Sequence, residues 1–130
     1  MDNCIFCKII RREVPGYIIS ENESVIVFVS LHNDSLVVPK KHIKDIYELD
    51  DKNGNEIMKE LIKTARAVKK GMQSDGLYIT QANEPAGGQD VFHIHFHIYP
   101  RWDDESKNKV ELTNDIEREK TMGKVKSAFE

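Results

Sequence analysis

The chain has little of several things. Cysteine occurs twice and proline four times in 130 residues, and Trp102 is the single tryptophan. Basic residues are not in excess: Lys plus Arg is 19 against 22 for Asp plus Glu, a formal net charge of −3. That balance argues against nucleic acid as a partner, since non-specific binding to phosphate backbones needs a basic footprint. No apolar run comes near the ~20 residues of a membrane-crossing helix, so no membrane partner is expected. The opening Met1-Asp-Asn-Cys-Ile-Phe-Cys7 lacks a basic start followed by an apolar stretch. No secretory signal is read there, a cytoplasmic location is the default, and disulfides are not expected. No internal repeat, low-complexity tract or linker-like shift in composition is found, which leaves one domain over 1–130. Hydrophobic residues make up 39% and charged residues 32%, the balance of a globular chain with enough apolar material for a core.

Five segments have the β-branched and aromatic content of strands. They are Tyr17–Ser20, Ser24–Val29, Ser35–Val38, Leu77–Gln81 and Val91–Tyr99. Glu21-Asn22-Glu23 is a polar turn that makes a hairpin of the first two. From Asp51 to about Met72, apolar residues at Ile57, Met58, Leu61, Ile62, Ala65, Val68 and Met72 follow helical spacing. Asp50 or Asp51 can cap its start, and Gly71 or Gly76 marks its exit. A second helix is predicted from Thr113 or Asn114 to Phe129, with a partial stripe of Ile116, Val125, Ala128 and Phe129. One helical turn is possible at Ile5–Ile10. The order implies an α+β fold in two layers: a mostly antiparallel five-stranded sheet, one long helix packed on it, and a C-terminal helix.

Three of the five histidines are His93, His95 and His97, inside Val91-Phe-His-Ile-His-Phe-His-Ile-Tyr-Pro100. Strand alternation puts all three on one face and sends Phe92, Ile94, Phe96 and Ile98 into the core. A solvated face that uses histidine by coincidence is the bland explanation. Two chemical ones compete with it. Histidines two apart can ligate zinc with an open position for water. Imidazole is also a competent nucleophile near neutral pH and a donor to phosphate oxygens. The upstream Asn83-Glu-Pro-Ala-Gly-Gly-Gln89 favours the second, because Gly87 and Gly88 let the backbone approach an anion. A Cys-x-x-Cys at Cys4 and Cys7 reads as half of a structural zinc site, as a redox pair, or as two inert thiols.

Together these segments resemble the histidine-triad (HIT) family, in its bacterial-type branch with an N-terminal Cys-x-x-Cys. The resemblance runs through Cys4-Ile-Phe-Cys-Lys-Ile-Ile10, Val14-Pro15, Leu36-Val-Val-Pro-Lys-Lys-His-Ile43 and Gly88-Gln-Asp-Val-Phe-His-Ile-His-Phe-His-Ile-Tyr-Pro-Arg101. It implies a homodimeric hydrolase or transferase acting at the α-phosphate of a nucleoside phosphoramidate or dinucleoside polyphosphate. By the same resemblance His95 is the nucleophile and becomes nucleotidylated, and water then releases the nucleoside monophosphate. His97 hydrogen-bonds the phosphate, while Asn83, Gly88 and Gln89 approach phosphate or leaving-group oxygens. The resemblance further implies a structural zinc held by Cys4, Cys7, His42 and His93, and no catalytic cofactor.

Two positions depart from the family pattern. Asp90 stands where a hydroxyl residue commonly follows the glutamine, and its charge would repel phosphate. Ser30 stands where the family carries a ribose-gripping aspartate, in a connection about four residues short. Asp34 is taken as an exposed turn residue rather than a replacement. The apolar wall for a base is expected among Phe6, Ile9, Ile10, Phe28 and Leu31. A nucleotide-binding protein with little turnover is the alternative that the Ser30 departure motivates, and a zinc hydrolase using the His93, His95, His97 row is the other. Trp102 is expected as an exposed loop aromatic.

Overall fold

The sequence Val25–Val29 is apolar at every position, which suits only a strand covered on both faces. The computed structural model, which describes residues 3–129, has that arrangement. The described chain runs α1 (Ile5–Ile10), β1 (Ile18–Glu21), β2 (Val25–Val29), β3 (Ser35–Pro39), α2 (Asp51–Gly71), β4 (Gly76–Thr80), α3 (Glu84–Gly87), β5 (Phe96–Arg101) and α4 (Asp115–Ala128). The strands form one antiparallel sheet in the order β1-β2-β3-β5-β4. The fold class expected from the sequence is thus the one observed. β5 enters between β3 and β4, so its side chains have strand neighbours on both edges.

The two faces of β2 belong to different cores. Val25, Val27 and Val29 pack with Ile57, Leu61 and Val68 of α2 and Val125 of α4. Ile26 and Phe28 pack with Leu36, Val38 and, from α1, Phe6 and Ile9. The helical layer therefore lies on one face, while α1 closes the other face over its end nearest the site.

α2 starts where Asp50 accepts from the backbone of Asn53 (2.8 Å), and Met72 follows its last residue. Its buried stripe is narrower than the sequence pattern: Ile57, Leu61, Thr64, Ala67 and Val68 face the sheet, whereas Met58 and Ile62 lie on the exposed side. α4 is capped by Asn114 onto Glu117 and buries Thr121 and Val125. Ile116, expected in its apolar stripe, is 66% exposed. α2 and α4 touch at Gly71, where an added Cβ would stand 2.5 Å from the Lys124 carbonyl oxygen.

A second correction concerns the histidine segment. The ladder of β5 begins at Phe96 rather than Val91. Residues 91–95 approach the sheet as irregular chain, pinned where Ile94 donates to the Ile43 carbonyl at 2.7 Å. Alternation survives from His93 onward, with Ile94 and Ile98 fully buried. Phe92 lies outside it and is 44% exposed instead of entering the core. No helix among the described residues is long and apolar enough to cross a membrane.

Candidate active site

His93 and His95 are carried by the pinned segment, and His97 is in β5 opposite Leu36 of β3 and Thr80 of β4. Their rings turn toward α1, not toward α2. Phe6 meets His93 at 5.9 Å and His95 at 4.9 Å between ring centroids, edge to face in both cases. The rings of His95 and His97 are 4.9 Å apart.

Each ring has its Nδ1 or Nε2 assigned by a partner. The Nδ1 of His95 lies 2.8 Å from the His93 carbonyl oxygen. A carbonyl only accepts, so Nδ1 carries the proton and Nε2 keeps the lone pair. Burial pushes the imidazole below its ordinary value, against the opposing pull of that hydrogen bond, which favours the neutral ring. His97 gives its Nδ1 proton to Oδ2 of Asp34 at 2.7 Å and stacks on Tyr99, 5.5 Å away and nearly parallel. His93 donates Nε2 to the Pro39 carbonyl at 2.7 Å, leaving Nδ1 bare toward the two cysteines.

His95 and His97 line a cavity of about 340 Å³, large enough for a base and sugar. Its wall is apolar: Ile5, Phe6, Ile9, Val14, Phe28 and Leu31 contribute. Four of the five residues expected to form the wall are there. Ile10 is not; it packs instead against the core under α1. Ser30 lines the same cavity, and so does Asp90, whose exposed carboxylate stands 3.8 Å from Nε2 of His95.

Asn83, Gly88 and Gln89 are not among the residues lining this cavity. Gln89 is 5% exposed and braces the loop: Oε1 accepts from the backbone of Glu84, and Nε2 donates to the carbonyls of Lys44 and Val91. Asn83 exchanges hydrogen bonds with Gln81 and accepts from the backbone of Ile46. Gly88 adopts φ +97°, the left-handed conformation that ends α3 and that glycine adopts without strain. Trp102 is also away from the cavity, its indole N–H bonded to the Gln73 carbonyl.

The structure corrects the reading of Asp34. It is 2% exposed, not a solvated turn residue, and accepts from both His97 and the hydroxyl of Ser30. A carboxylate in a polar turn gives no sign of burial until its partner, 63 residues later, is placed beside it. Tyr17 and Arg118 were also unforeseen in the cavity wall. Arg118 comes from α4, stands 5.0 Å over the Tyr17 ring, and pairs with Asp115 at 2.6 Å. Its buried Nε has no hydrogen-bond partner among the described residues.

The second cluster consists of Cys4, Cys7, His42 and His93, whose ligand atoms all lie within 4.8 Å of one another. Cys4 Sγ is 3.4 Å from Nδ1 of His93, and Cys7 Sγ is 3.3 Å from Nδ1 of His42 and 3.6 Å from that of His93. Tetrahedral zinc, with bonds of about 2.3 Å to sulfur and about 2.0 Å to nitrogen, holds such atoms roughly 3.5 Å apart. The donor set and its spacing therefore fit zinc. Burial keeps His93 neutral, pushed down to about 4, as a ligand must be. Burial and the neighbouring Cys4 raise the Cys7 thiol, so two adjacent thiolates call for a cation between them. His95 and His97 have their Nδ1 atoms committed elsewhere, and the three histidines of the row do not form a metal cluster among the described residues.

A family model described as HIT domain matches residues 11–104. The chain is 30% identical over 107 residues to adenosine 5'-monophosphoramidase HNT1 of Saccharomyces cerevisiae, covering 79% of this chain and 65% of that one. Among solved structures, a Hit-like protein from Bartonella henselae superposes with a TM-score of 0.91 at 34% identity, covering 99% of this chain and 98% of that one. A Zn-bound histidine triad family protein from Mycobacterium smegmatis gives 0.85 at 27% identity, covering 98% and 93%.

Proposed function

The chain belongs to the HIT domain family, and from that premise we propose that it is a nucleotide hydrolase that cleaves at the α-phosphate through a nucleotidyl-His95 intermediate. Nucleoside phosphoramidates and dinucleoside polyphosphates are the substrate classes, and nucleoside monophosphate is the product. One observation carries the reading. The Nε2 of His95 keeps its lone pair on a ring that is 6% exposed, fixed by the His93 carbonyl, and set in the wall of an apolar cavity beside His97.

The chemistry follows from that placement. Nε2 of His95 attacks the α-phosphorus, the bond to the leaving group breaks, and water later displaces the histidine. Phosphoryl-type transfer asks mainly for positioning and charge stabilisation, which a held imidazole and a neighbouring donor can supply. Phe28 and the apolar wall receive the base, and Ser30 lies at the sugar. Asn83, Gly88 and Gln89 act by shaping the loop that leads into the histidine segment. The named activity of the yeast relative is of this class. A structural zinc at Cys4, Cys7, His42 and His93 holds α1 against the histidine segment, and the zinc-bound relative supports that assignment. A homodimer in the cytoplasm completes the proposal. The exposed Tyr78 and Ile79 on edge strand β4, or Met58 and Ile62 on α2, offer surfaces for the second copy.

The test is intact-mass measurement after mixing with adenosine 5'-phosphoramidate. Wild-type protein is expected to gain the mass of one nucleotidyl group and release adenosine monophosphate, and His95→Ala to do neither. Undiminished turnover by His95→Ala would remove the proposal. Saturable nucleotide binding without any adduct would replace it with a binding function.

A further inference from the structure

Asp34 is a buried carboxylate with both oxygens occupied, and one of its partners is a ring of the candidate site. It ends the turn from Ser30 to Asp34, in which Asn33 takes a left-handed φ of 70°. The turn is closed by the backbone of Ser30 donating to the Asp34 carbonyl at 2.8 Å and by Asn33 donating back to Ser30 at 3.0 Å. The Ser30 hydroxyl donates to Oδ1, and Nδ1 of His97 donates to Oδ2. Tyr99 stacks on the same imidazole and brings its hydroxyl to 3.3 Å from Nδ1. The ring of His97 is thereby fixed in rotamer, with a proton held on Nδ1. Its Nε2 is the nitrogen left for a molecule in the cavity it shares with His95.

We propose that Asp34 is a positioning residue that makes His97 the proton carrier for both halves of the reaction. This rests on the nucleotidyl-His95 reading. In the reacting form His97 carries a proton on Nε2 as well as the one that Asp34 holds on Nδ1. In the first half, Nε2 of His95 bonds to phosphorus as the phosphorus–nitrogen bond of a phosphoramidate breaks. The electron pair of that bond stays on the leaving nitrogen, which takes the Nε2 proton of His97. His97 is left neutral, with Nδ1–H on Asp34. In the second half, a water oxygen bonds to phosphorus and the electron pair of the phosphorus–Nε2 bond returns to His95. The water proton passes to Nε2 of His97, restoring both rings. Asp34 remains ionised throughout and stabilises the charged ring each time it forms, as the carboxylate does in other carboxylate–imidazole pairs.

The test uses Asp34→Asn and two substrates. The amide is close in shape to the carboxylate but can donate to Nδ1 and so favour the other tautomer. Adenosine 5'-phosphoramidate needs a proton for its leaving group; the 4-nitrophenyl ester of adenosine monophosphate does not. Rapid-quench intact mass is expected to give adduct formation from the phosphoramidate about 10²-fold slower in the variant, with KM changed less than about threefold. From the nitrophenyl ester, adduct formation is expected to slow less than about threefold, while hydrolysis of the adduct slows for both. Long-range nitrogen–proton NMR of the wild-type protein should read His97 as protonated on Nδ1. Equal losses on both substrates, no loss at all, or a wild-type His97 protonated only on Nε2 would overturn the assignment. Where Asp34→Asn fails to fold, Ser30→Ala with the same two substrates decides, since it removes one donor and leaves the carboxylate. It is expected to slow the phosphoramidate more than the ester. Absence of any adduct in the wild-type protein with either substrate is a different result: it overturns the nucleotidyl-His95 reading, and this inference with it.

Discussion

Phe6 stands edge-on to His95, with ring centroids 4.9 Å apart and planes at 85°. Phe6 also sits between Cys4 and Cys7 in the chain, on the single turn that carries both thiols into the four-donor cluster. The cluster and the ring of His95 thus share one wall.

Loss of metal should therefore be felt in both stability and chemistry. Chelation, or Cys4→Ser, is expected to lower the melting temperature by about 5 °C or more and to slow adduct formation at His95. Thermal melts paired with zinc analysis check it. Unchanged melting after complete metal removal would contradict a structural role for the ion.

Asp90 places a negative charge 3.8 Å from Nε2 of His95. The side chain is 80% exposed, so solvent weakens its repulsion of an incoming phosphate to about 1 kcal/mol. Asp90→Ser is expected to speed adduct formation about fivefold at low salt, with the gain shrinking as salt is added. Stopped-time mass spectra at two ionic strengths measure it.

Sugar recognition should be weak. The Ser30 hydroxyl is given to Asp34, and Asp34 is itself occupied by His97. Comparing adenosine and 2'-deoxyadenosine phosphoramidates should give kcat/KM values within about fivefold of each other. A preference above about 10² for the ribose form would require a charged hydrogen bond to the 2'-hydroxyl.

Gly71→Ala tests the seam between α2 and α4. The new methyl would meet the Lys124 carbonyl oxygen at 2.5 Å and its carbon at 2.9 Å, both backbone atoms. Helix propensity alone would favour alanine by about 1 kcal/mol. Backbone cannot give way as a side chain does, so a net loss of about 1–3 kcal/mol is expected, read as a lower denaturant midpoint.

The sequence carried the fold where periodicity carries burial. Val25–Val29 and the Ile57, Leu61, Val68 spacing each have one arrangement that hides them, and the structure has it. The histidine row was readable for the same reason from His93 onward. It failed at Phe92 because nothing in the pattern marks where a strand stops pairing. The four metal donors were readable only through resemblance, since no local signal joins Cys4 to His42. Asp34 and Arg118 were missed on different grounds. One acidic residue in a polar turn, and one arginine on a weakly patterned helix, look the same whether they face water or a cavity. Their roles depend on contacts with distant parts of the chain.

Cys4 and His93 are 89 residues apart, with His42 between them. On the ribosome the thiols emerge early and the last imidazole late, after the strands from β1 to β4 have been made. Until then only three donors exist, and α1 has no completed histidine segment to close against. The N-terminal turn thus belongs among the last pieces to be locked during synthesis, and a nascent chain halted before residue 93 would lack β5, the strand that joins β4 to β3, together with the site it carries.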